Sequence, residues 1–437
     1  MRFVAIGRGS RRPRRPVGGP RLPLAAALLA SLALAACGGP VAGVLTPVPE
    51  ARGVGSQVEM LVATTREAAA DSADLYSGER GLNLSFVDVT ISIPPSSART
   101  VGEVQRPKNA VGDPQTDFVL VSADRLDAAG ALAALNRGVT RVPDRRVMVF
   151  VHGYNNRFDD AVFRLAQIVH DSDADVYPVL FTWPSRAKLL SYGYDRESAN
   201  YSRTELETVL RSLARDPSVG EVNILAHSMG NWLTMEALRQ MAIRDGRISP
   251  KITTVMLAAP DIDVDVFREQ MRDIGTTHPD MILFVSGDDR ALAVSKRLWQ
   301  SSKRLGAIDP TAEPYRSQIA GSELTVIDLT QVETGDSLHH GKFAQSPEVV
   351  QLIGNRLMAG QTLTDSRASF GDRVIQLSTG VAAAAGTAVG MAVSAPVAVV
   401  DPATRVSIND TLEATLDVDG FEVKGSADVD GDDLASR

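Results

Sequence analysis

Short apolar runs alternate with amphipathic stretches through the middle of the chain. The runs at 147–151 and 255–259, Val-Met-Val-Phe-Val and Val-Met-Leu-Ala-Ala, are continuously apolar, which is typical of strands covered on both faces. Such runs predict strands at 147–151, 176–182, 222–226, 252–258, 281–286 and 324–329. The stretches between them predict helices at 159–170, 202–215, 231–241, 264–273 and 292–305. We therefore predict an α/β fold with a mostly parallel central sheet and helices on both faces.

Three further strands are predicted earlier in the chain, at 58–65, 84–94 and 118–122. Their residues are β-branched or alternate between apolar and polar, and Gly and Pro bound them. In parallel sheets of this class, ligands bind beyond the carboxyl ends of the strands. We therefore expect the chemistry to lie in the residues that follow each apolar run of the central block.

The N-terminus has the pattern of an exported, lipid-anchored protein. Its first 36 residues contain seven Arg and no Asp, Glu or Lys, and their final apolar run, 22–36, is too short to span a bilayer. Residues 34–37, Leu-Ala-Ala-Cys, resemble the lipobox of bacterial lipoproteins. We predict that 1–36 are a signal peptide and that lipidated Cys37 anchors the protein to a membrane of the cell envelope. Gly38, rather than Asp, follows the cysteine, which favours the outer membrane, facing the periplasm.

The remaining boundaries follow from composition. Residues 37–55 are rich in Gly and Pro and predict a tether, and 56–360 contain the α/β pattern. Residues 361–437 form a Gly/Ala-rich apolar segment and an acidic tail. Within that segment, 374–400 contain no charged residue, and we expect a helix or helical hairpin packed on the domain rather than a membrane span.

Charge and residue counts exclude several classes of function. Without the first 36 residues the chain has 38 basic and 53 acidic residues, which argues against a nucleic-acid partner. A single cysteine permits no intramolecular disulfide. The histidines lack the paired spacing of metal ligands, and no Gly-rich phosphate loop follows a strand, so we predict neither a metal nor a cofactor.

The strongest chemical motif follows the predicted strand at 222–226. Residues 226–230, Ala-His-Ser-Met-Gly, fit the nucleophile elbow G-x-S-x-G with Ala at the first position, and a predicted helix follows. The sharp turn needs small flanking residues, and it lifts the serine hydroxyl above the sheet. We predict Ser228 as a nucleophile and the backbone N–H of Met229 as a donor to an oxyanion.

Three motifs together resemble the α/β-hydrolases, most closely a branch of bacterial esterase/lipase-like proteins whose substrates are largely uncharacterised. They are 150–155, Phe-Val-His-Gly-Tyr-Asn; 181–185, Phe-Thr-Trp-Pro-Ser; and the elbow itself. The resemblance covers roughly 58–358. It implies an α/β-hydrolase fold in which the N–H of Tyr154 is the second oxyanion donor. His152 is expected to order this loop rather than act as a base.

The resemblance also implies the chain order serine, acid, histidine. The turn 286–292 resembles the acid turn of the fold and places Asp289 at the acid position, with Asp288 as the next candidate. Asp261 is a rival acid, although helix capping is the favoured interpretation for it and for Asp263. His340 is the predicted base because 340–343 resemble a His-x-x-aromatic turn, and His339 is held in reserve.

Two hypotheses about function follow. The first is a serine hydrolase that cleaves an ester, thioester or amide bond of a small or lipid-like acyl substrate through an acyl-enzyme on Ser228. The second is a non-catalytic, envelope-anchored binding or scaffold protein that retains the hydrolase fold. The membrane is an expected partner through Cys37, and the sequence indicates no particular protein partner.

Overall fold

Ten strands of the described chain form one sheet. The computed structural model describes residues 41–299, 303–359 and 375–378 of the 437-residue chain. The strands are β1 (Ser56–Ala68), β2 (Tyr76–Ile93), β3 (Val119–Leu126), β4 (Arg146–Val151), β5 (Tyr177–Thr182), β6 (Glu221–His227), β7 (Ile252–Ala258), β8 (Asp280–Val285), β9 (Leu324–Asp328) and β10 (Ile375–Ser378). They lie in the order β10-β9-β8-β7-β6-β4-β5-β1-β2-β3.

Most of this sheet is parallel. All strand pairs from β9 across to β1 are parallel, and these strands form the middle of the sheet. An antiparallel unit of β2 and β3 extends one side, and β10 pairs antiparallel with β9 on the other. The prediction of a mostly parallel central sheet is confirmed.

Helices cover both faces of the sheet. They are α1 (Ala128–Val139), α2 (Phe158–Ser172), α3 (Tyr192–Tyr201), α4 (Arg203–Arg215), α5 (Met229–Asp245), α6 (Val264–Ile274), α7 (Arg290–Trp299), α8 (Tyr315–Ala320), α9 (Lys342–Gln345) and α10 (Pro347–Ala359). Along β4, alternate side chains enter two different apolar cores. Val147 and Val149 join the core shared with α1 and α3–α6, whereas Met148 and Phe150 join the core shared with α2, α9 and α10. Burial on both faces explains why this strand is continuously apolar.

The predicted helix at 292–305 is too long. Helix α7 ends at Trp299, and Leu305–Ala307 form a separate 3₁₀ turn preceded by an extended Arg304 (φ −76°, ψ 135°). An antiparallel bridge between Arg304 and Asp263 holds this segment extended and prevents the helix from continuing. The helices α1, α3, α8, α9 and α10 were not predicted.

The predicted tether at 37–55 is also corrected. The described residues from Gly43 onward belong to one compact unit. Val44, Leu45 and Ala51 are buried, and the backbone N–H of Leu45 donates to Ala73 O at 3.1 Å. The apolar residues between the Pro and Gly positions therefore pack on the domain, and they do not act as a flexible spacer.

The C-terminal prediction is corrected where it can be compared. Residues 374–400 were expected to be helical, but Ile375–Ser378 pair with β9 as strand β10. The sequence Ile-Gln-Leu-Ser alternates with the period of a strand, which accounts for the difference. The other residues of 361–437, the signal segment and Cys37 lie outside the described residues. Among helices of the described ranges, none combines the length and apolar character needed to cross a membrane.

Candidate active site

Ser228 occupies the sharp turn between β6 and α5. Its backbone is left-handed, with φ 53° and ψ −120°, a conformation that side-chain-bearing residues rarely adopt. Its N–H donates to Ala258 O at 2.9 Å, and its carbonyl accepts from Asn231 N at 3.1 Å. The neighbouring strand β7 and the helix after the serine thus hold it in the geometry expected of a nucleophile elbow.

Two glycines allow the elbow to meet the loop that follows β4. A Cβ on Gly230 would lie 2.4 Å from His152 O and 2.6 Å from Val151 O. A Cβ on Gly153 would lie 2.9 Å from the Cβ of Ser228. The backbone of the 150–155 loop therefore packs directly on the elbow, and a side chain at either glycine would separate them.

The two predicted oxyanion donors belong to these adjoining segments. Met229 is the first residue of α5, so its N–H has no acceptor within the helix. Neither this N–H nor that of Tyr154 donates to a protein acceptor in the part of the chain that the structure describes. Both groups are thus available to a ligand oxygen.

The predicted acid and base lie against each other. Asp289 is buried in the turn between β8 and α7, and its Oδ2 accepts a 2.6 Å hydrogen bond from His340 Nδ1. Its other oxygen, Oδ1, accepts from Leu292 N at 2.9 Å, which fixes the carboxylate. On residues 336–341, the loop that carries His340 (the base loop), Asp336 Oδ2 accepts from the N–H groups of His340 and Gly341 at 2.8 and 2.9 Å. Both members of the pair are therefore oriented by their own turns.

The surroundings of His340 favour its cationic form. Burial lowers the pKa of His340, but the hydrogen bond and charge of Asp289, with the charges of Asp261 and Asp336, outweigh burial and raise the pKa above its ordinary value. An imidazole that gains a proton easily is suited to act as a general base.

His227 connects the elbow to the base loop. Its ring packs 4.7 Å from the ring of His340 and 4.6 Å from that of Phe343, measured between centroids. Its Nε2 donates to His340 O at 3.3 Å. Burial and the charge of His340 lower the pKa of His227 well below its ordinary value, so this ring is neutral. His227 thus links the residue before Ser228 to the predicted base.

The reserve candidates form a second pair. His339 Nδ1 donates to Asp288 Oδ2 at 2.6 Å, parallel to the first pair and one residue earlier on both segments. This pair is more open, because 34% of the Asp288 side chain is exposed and none of the Asp289 side chain is. The structure thus brings each acid to one histidine, and it places Asp289 with His340.

Asp261 has different partners. Its carboxylate accepts from Tyr192 Oη at 2.5 Å and from Ser295 Oγ at 2.7 Å, and it forms an ion pair with Arg304. The favoured interpretation, helix capping, is therefore wrong for Asp261 and right for Asp263, which accepts from Asp265 N at the start of α6.

His152 supports the loop that carries Tyr154. It accepts at Nε2 from Trp183 N at 3.1 Å and donates from Nδ1 to Gly153 O at 2.8 Å. Burial and the charge of Arg66 lower the pKa of His152 to about 3, so the imidazole is neutral and carries its proton on Nδ1. These contacts give His152 an ordering position in the loop.

Sequence reasoning missed the buried Arg66 at the carboxyl end of β1. Its guanidinium donates to Asn156 O at 2.9 Å, Ser185 O at 3.1 Å and Thr182 Oγ1 at 2.8 Å. One side chain thereby joins the loops after β4 and β5. No local signal separates this arginine from an exposed one, because its acceptors are distant in sequence.

Asp195 is a second missed residue of the same scaffold. It is buried at the start of α3 and accepts from Ser185 Oγ at 2.5 Å and from the N–H of Arg186 at 3.0 Å. Burial raises the pKa of Asp195, although these hydrogen bonds and the charge of Arg66 oppose that effect. Together Arg66 and Asp195 fix the surroundings of the predicted oxyanion loop.

A comparison with protein families agrees with the observed fold. Residues 127–356 match the model of a family described as an alpha/beta hydrolase of unknown function (DUF900). The chain belongs to this α/β-hydrolase family. The match begins at the residue before α1 and includes the elbow, the acid turn and the base loop. A search of curated proteins finds no match.

Within this hydrolase, no cluster of three or more His, Cys, Asp or Glu side chains is placed to hold a metal ion among residues 41–299, 303–359 and 375–378.

Proposed function

We propose that this hydrolase cleaves an ester, thioester or amide bond through an acyl-enzyme on Ser228. The observation that carries the proposal is the hydrogen bond between buried Asp289 and half-buried His340, whose loop His227 connects to the elbow. A strained serine, a paired histidine and two free backbone donors are the parts that acyl transfer requires.

The mechanism uses each part once in each half of the reaction. His340 Nε2 accepts the hydroxyl proton as Ser228 Oγ attacks the substrate carbonyl, and the N–H groups of Tyr154 and Met229 stabilise the oxyanion. The protonated imidazole then donates this proton to the leaving group. Water then attacks the acyl carbonyl as His340 accepts its proton, and the imidazolium returns that proton to Ser228 Oγ as the acid product leaves. Asp289 holds the proton on Nδ1 and stabilises the imidazolium.

An apolar acyl group is the substrate class that the entrance favours. Tyr154 Oη donates to Leu189 O at 2.5 Å, which ties the oxyanion loop to a segment whose leucines, Leu189 and Leu190, are both exposed. These side chains offer an apolar surface next to the tyrosine of the predicted oxyanion loop. A medium or long acyl chain can cover this surface, whereas an acetyl group cannot.

The proposed location is the cell envelope, with lipidated Cys37 as the anchor. The test is fractionation of cells that express the wild type or Cys37→Ser. We expect the wild type in the membrane fraction and the variant in the soluble fraction. Equal distribution of the two proteins would contradict the anchor.

The proposed activity is tested with a fluorophosphonate probe and a chain-length series of p-nitrophenyl esters. We expect the probe to label the wild type and not Ser228→Ala, and we expect turnover to rise from acetate towards longer esters. Absence of both labelling and turnover would reject the enzyme and favour a non-catalytic scaffold. Binding of an envelope component that is equal in the wild type and Ser228→Ala would support that second role.

A further inference from the structure

The site contains two neighbouring carboxylates, and only one of them can pair with His340. Asp288 and Asp289 are adjacent in the acid turn, His339 and His340 are adjacent in the base loop, and the hydrogen bond in each pair is 2.6 Å long. A small displacement of one segment would bring the wrong carboxylate towards His340. We propose that Lys342 is a positioning residue that reserves His340 for Asp289 by holding the Asp288 carboxylate. This inference rests on the proposed function.

Lys342 joins three segments through one ammonium group. Its Nζ lies 2.8 and 2.9 Å from the two carboxylate oxygens of Asp288 and 3.1 Å from Ser286 Oγ, both in the acid turn. It also lies 3.0 and 3.1 Å from the carbonyl oxygens of Leu329 and Thr330, after β9. The lysine itself begins α9, two residues beyond His340. It therefore fixes the acid turn, the end of β9 and the base loop relative to one another.

This position is unusual for a lysine. Only 3% of the side chain is exposed, although lysine is almost never fully buried unless it is paired. An ammonium has three N–H donors, so five surrounding oxygens more than satisfy it. A merely solvated surface lysine would not be enclosed in this way, and the enclosure gives its charge a fixed position beside Asp288.

The charge of Lys342 acts on Asp288. Burial raises the pKa of Asp288, but hydrogen bonds from Lys342, Ser286 and His339 and the charge of Lys342 together lower the pKa below its ordinary value. Asp288 is thus a carboxylate whose negative charge is balanced at short range. An unbalanced carboxylate in this turn would attract the imidazolium of His340 and compete with Asp289 for it.

The groups that face His340 come from four segments. Asp289 approaches from the acid turn, Asp261 from the loop after β7, Asp336 from the base loop, and neutral His227 from the elbow. Three anions already raise the pKa of His340, and loss of Lys342 would add the uncompensated charge of Asp288. The pKa of His340 should then rise further, and the fraction of neutral base at a given pH should fall.

The experiment compares the pH dependence of kcat/KM in wild type, Lys342→Met, Asp288→Asn and the double variant, with a p-nitrophenyl ester as substrate. We expect Lys342→Met to lose about 100-fold in kcat/KM, because a misplaced catalytic pair has an effect of that size. The acid limb of its kcat/KM pH profile should move to higher pH by about one unit. Adding Asp288→Asn should return the limb to the wild-type position and restore at least about tenfold of the activity, since it removes the unbalanced charge.

A purely structural role gives a different result. Lys342→Met would then lose activity equally at all pH values, with an unmoved acid limb and no recovery in the double variant, and this result would overturn the inference. Should Lys342→Met fail to fold, Lys342→Gln retains a hydrogen-bond donor on a shorter side chain and removes the charge, so the same shift is expected.

Fluorophosphonate labelling of the wild type separates the two proposals. Labelling with an unmoved limb in the lysine variants rejects the role of Lys342 and leaves the serine hydrolase intact. A wild type that is neither labelled nor active rejects the proposed function, and the inference with it.

Discussion

The elbow and the base loop lie side by side, yet they are held in place by different means. The elbow is fixed by backbone: the left-handed turn at Ser228, the glycine contacts of Gly153 and Gly230, and hydrogen bonds between main-chain groups. The base loop is fixed by side chains: Asp336 accepts from N–H groups of the same loop, and Lys342 binds groups in the acid turn and after β9.

This difference has a mechanical consequence. A backbone turn tolerates change at its exposed side chains but fails when a Cβ is added at a contact. A loop held by charged side chains tolerates small changes in volume but fails when the buried cation that joins its segments is removed. The two regions should therefore respond to opposite kinds of substitution.

The largest effect is expected at the residue that belongs to the elbow and to the proposed chemistry. Ser228→Ala should lower kcat/KM at least about 10⁴-fold, because it removes the nucleophile while the oxyanion donors remain. Ester turnover measures the loss, and an unchanged thermal unfolding midpoint shows that the fold is retained. Turnover within tenfold of wild type would remove Ser228 from the mechanism.

The next effect compares the two neighbouring acids. Asp289→Asn should lower kcat about 10⁴-fold, since the amide no longer fixes the tautomer of His340. Asp288→Asn, the same change one residue earlier, should cost less than about tenfold, because Asp288 faces His339 and Lys342 and has no predicted contact with substrate. Equal losses, or the reverse order, would show that the assignment of the acid is wrong.

A third test adds one methyl group to the elbow. Gly230→Ala should destabilise the protein by about 1–3 kcal/mol, because the new Cβ would collide with two carbonyl oxygens of the 150–155 loop. Gly193→Ala in α3 is the matched control: its Cβ would meet nothing within 4 Å, and we expect up to about 1 kcal/mol of stabilisation. Urea unfolding measures both variants. A stable, fully active Gly230→Ala would contradict the close contact between loop and elbow.

The smallest expected effect concerns pH. Since the neutral form of His340 is the base and its pKa is raised, kcat/KM should fall as pH decreases, with a midpoint above about 6.5. His339→Gln should leave this midpoint in place. A midpoint that disappears in His339→Gln would transfer the role of base to His339.

The sequence predicted the elbow side of the site more completely than the base side. The strand pattern before the turn and the motif at 226–230 are both local in the sequence. They are therefore sufficient to predict the turn at Ser228. The preference for His340 over His339 rested on a short turn motif alone, and the partners that distinguish the two histidines lie 51 residues away. Lys342 and Arg66 had no local signal, because a buried cation is distinguished only by acceptors from distant segments.

The outer parts of the fold show the same limit. The burial of 43–51 depends on β3 and on the loop after β1, and the apolar residues there do not form a regular pattern. Helix α3 has a weakly apolar composition, and its burial of Tyr192 and Asp195 follows from the loops that it contacts.

The contacts of Arg66 limit how far the N-terminus can be truncated before the domain loses a part of its sheet. The stretch recognisable as an α/β-hydrolase runs from 127 to 356, yet β1, which carries Arg66 and pairs with β5, lies before it. A fragment cut at the limits of this match would expose the edge of β5 and leave the carbonyl of Asn156 without its buried donor. The part of the chain by which relatives are recognised is therefore shorter than the part that must fold together, and N-terminal truncation has to stop before β1.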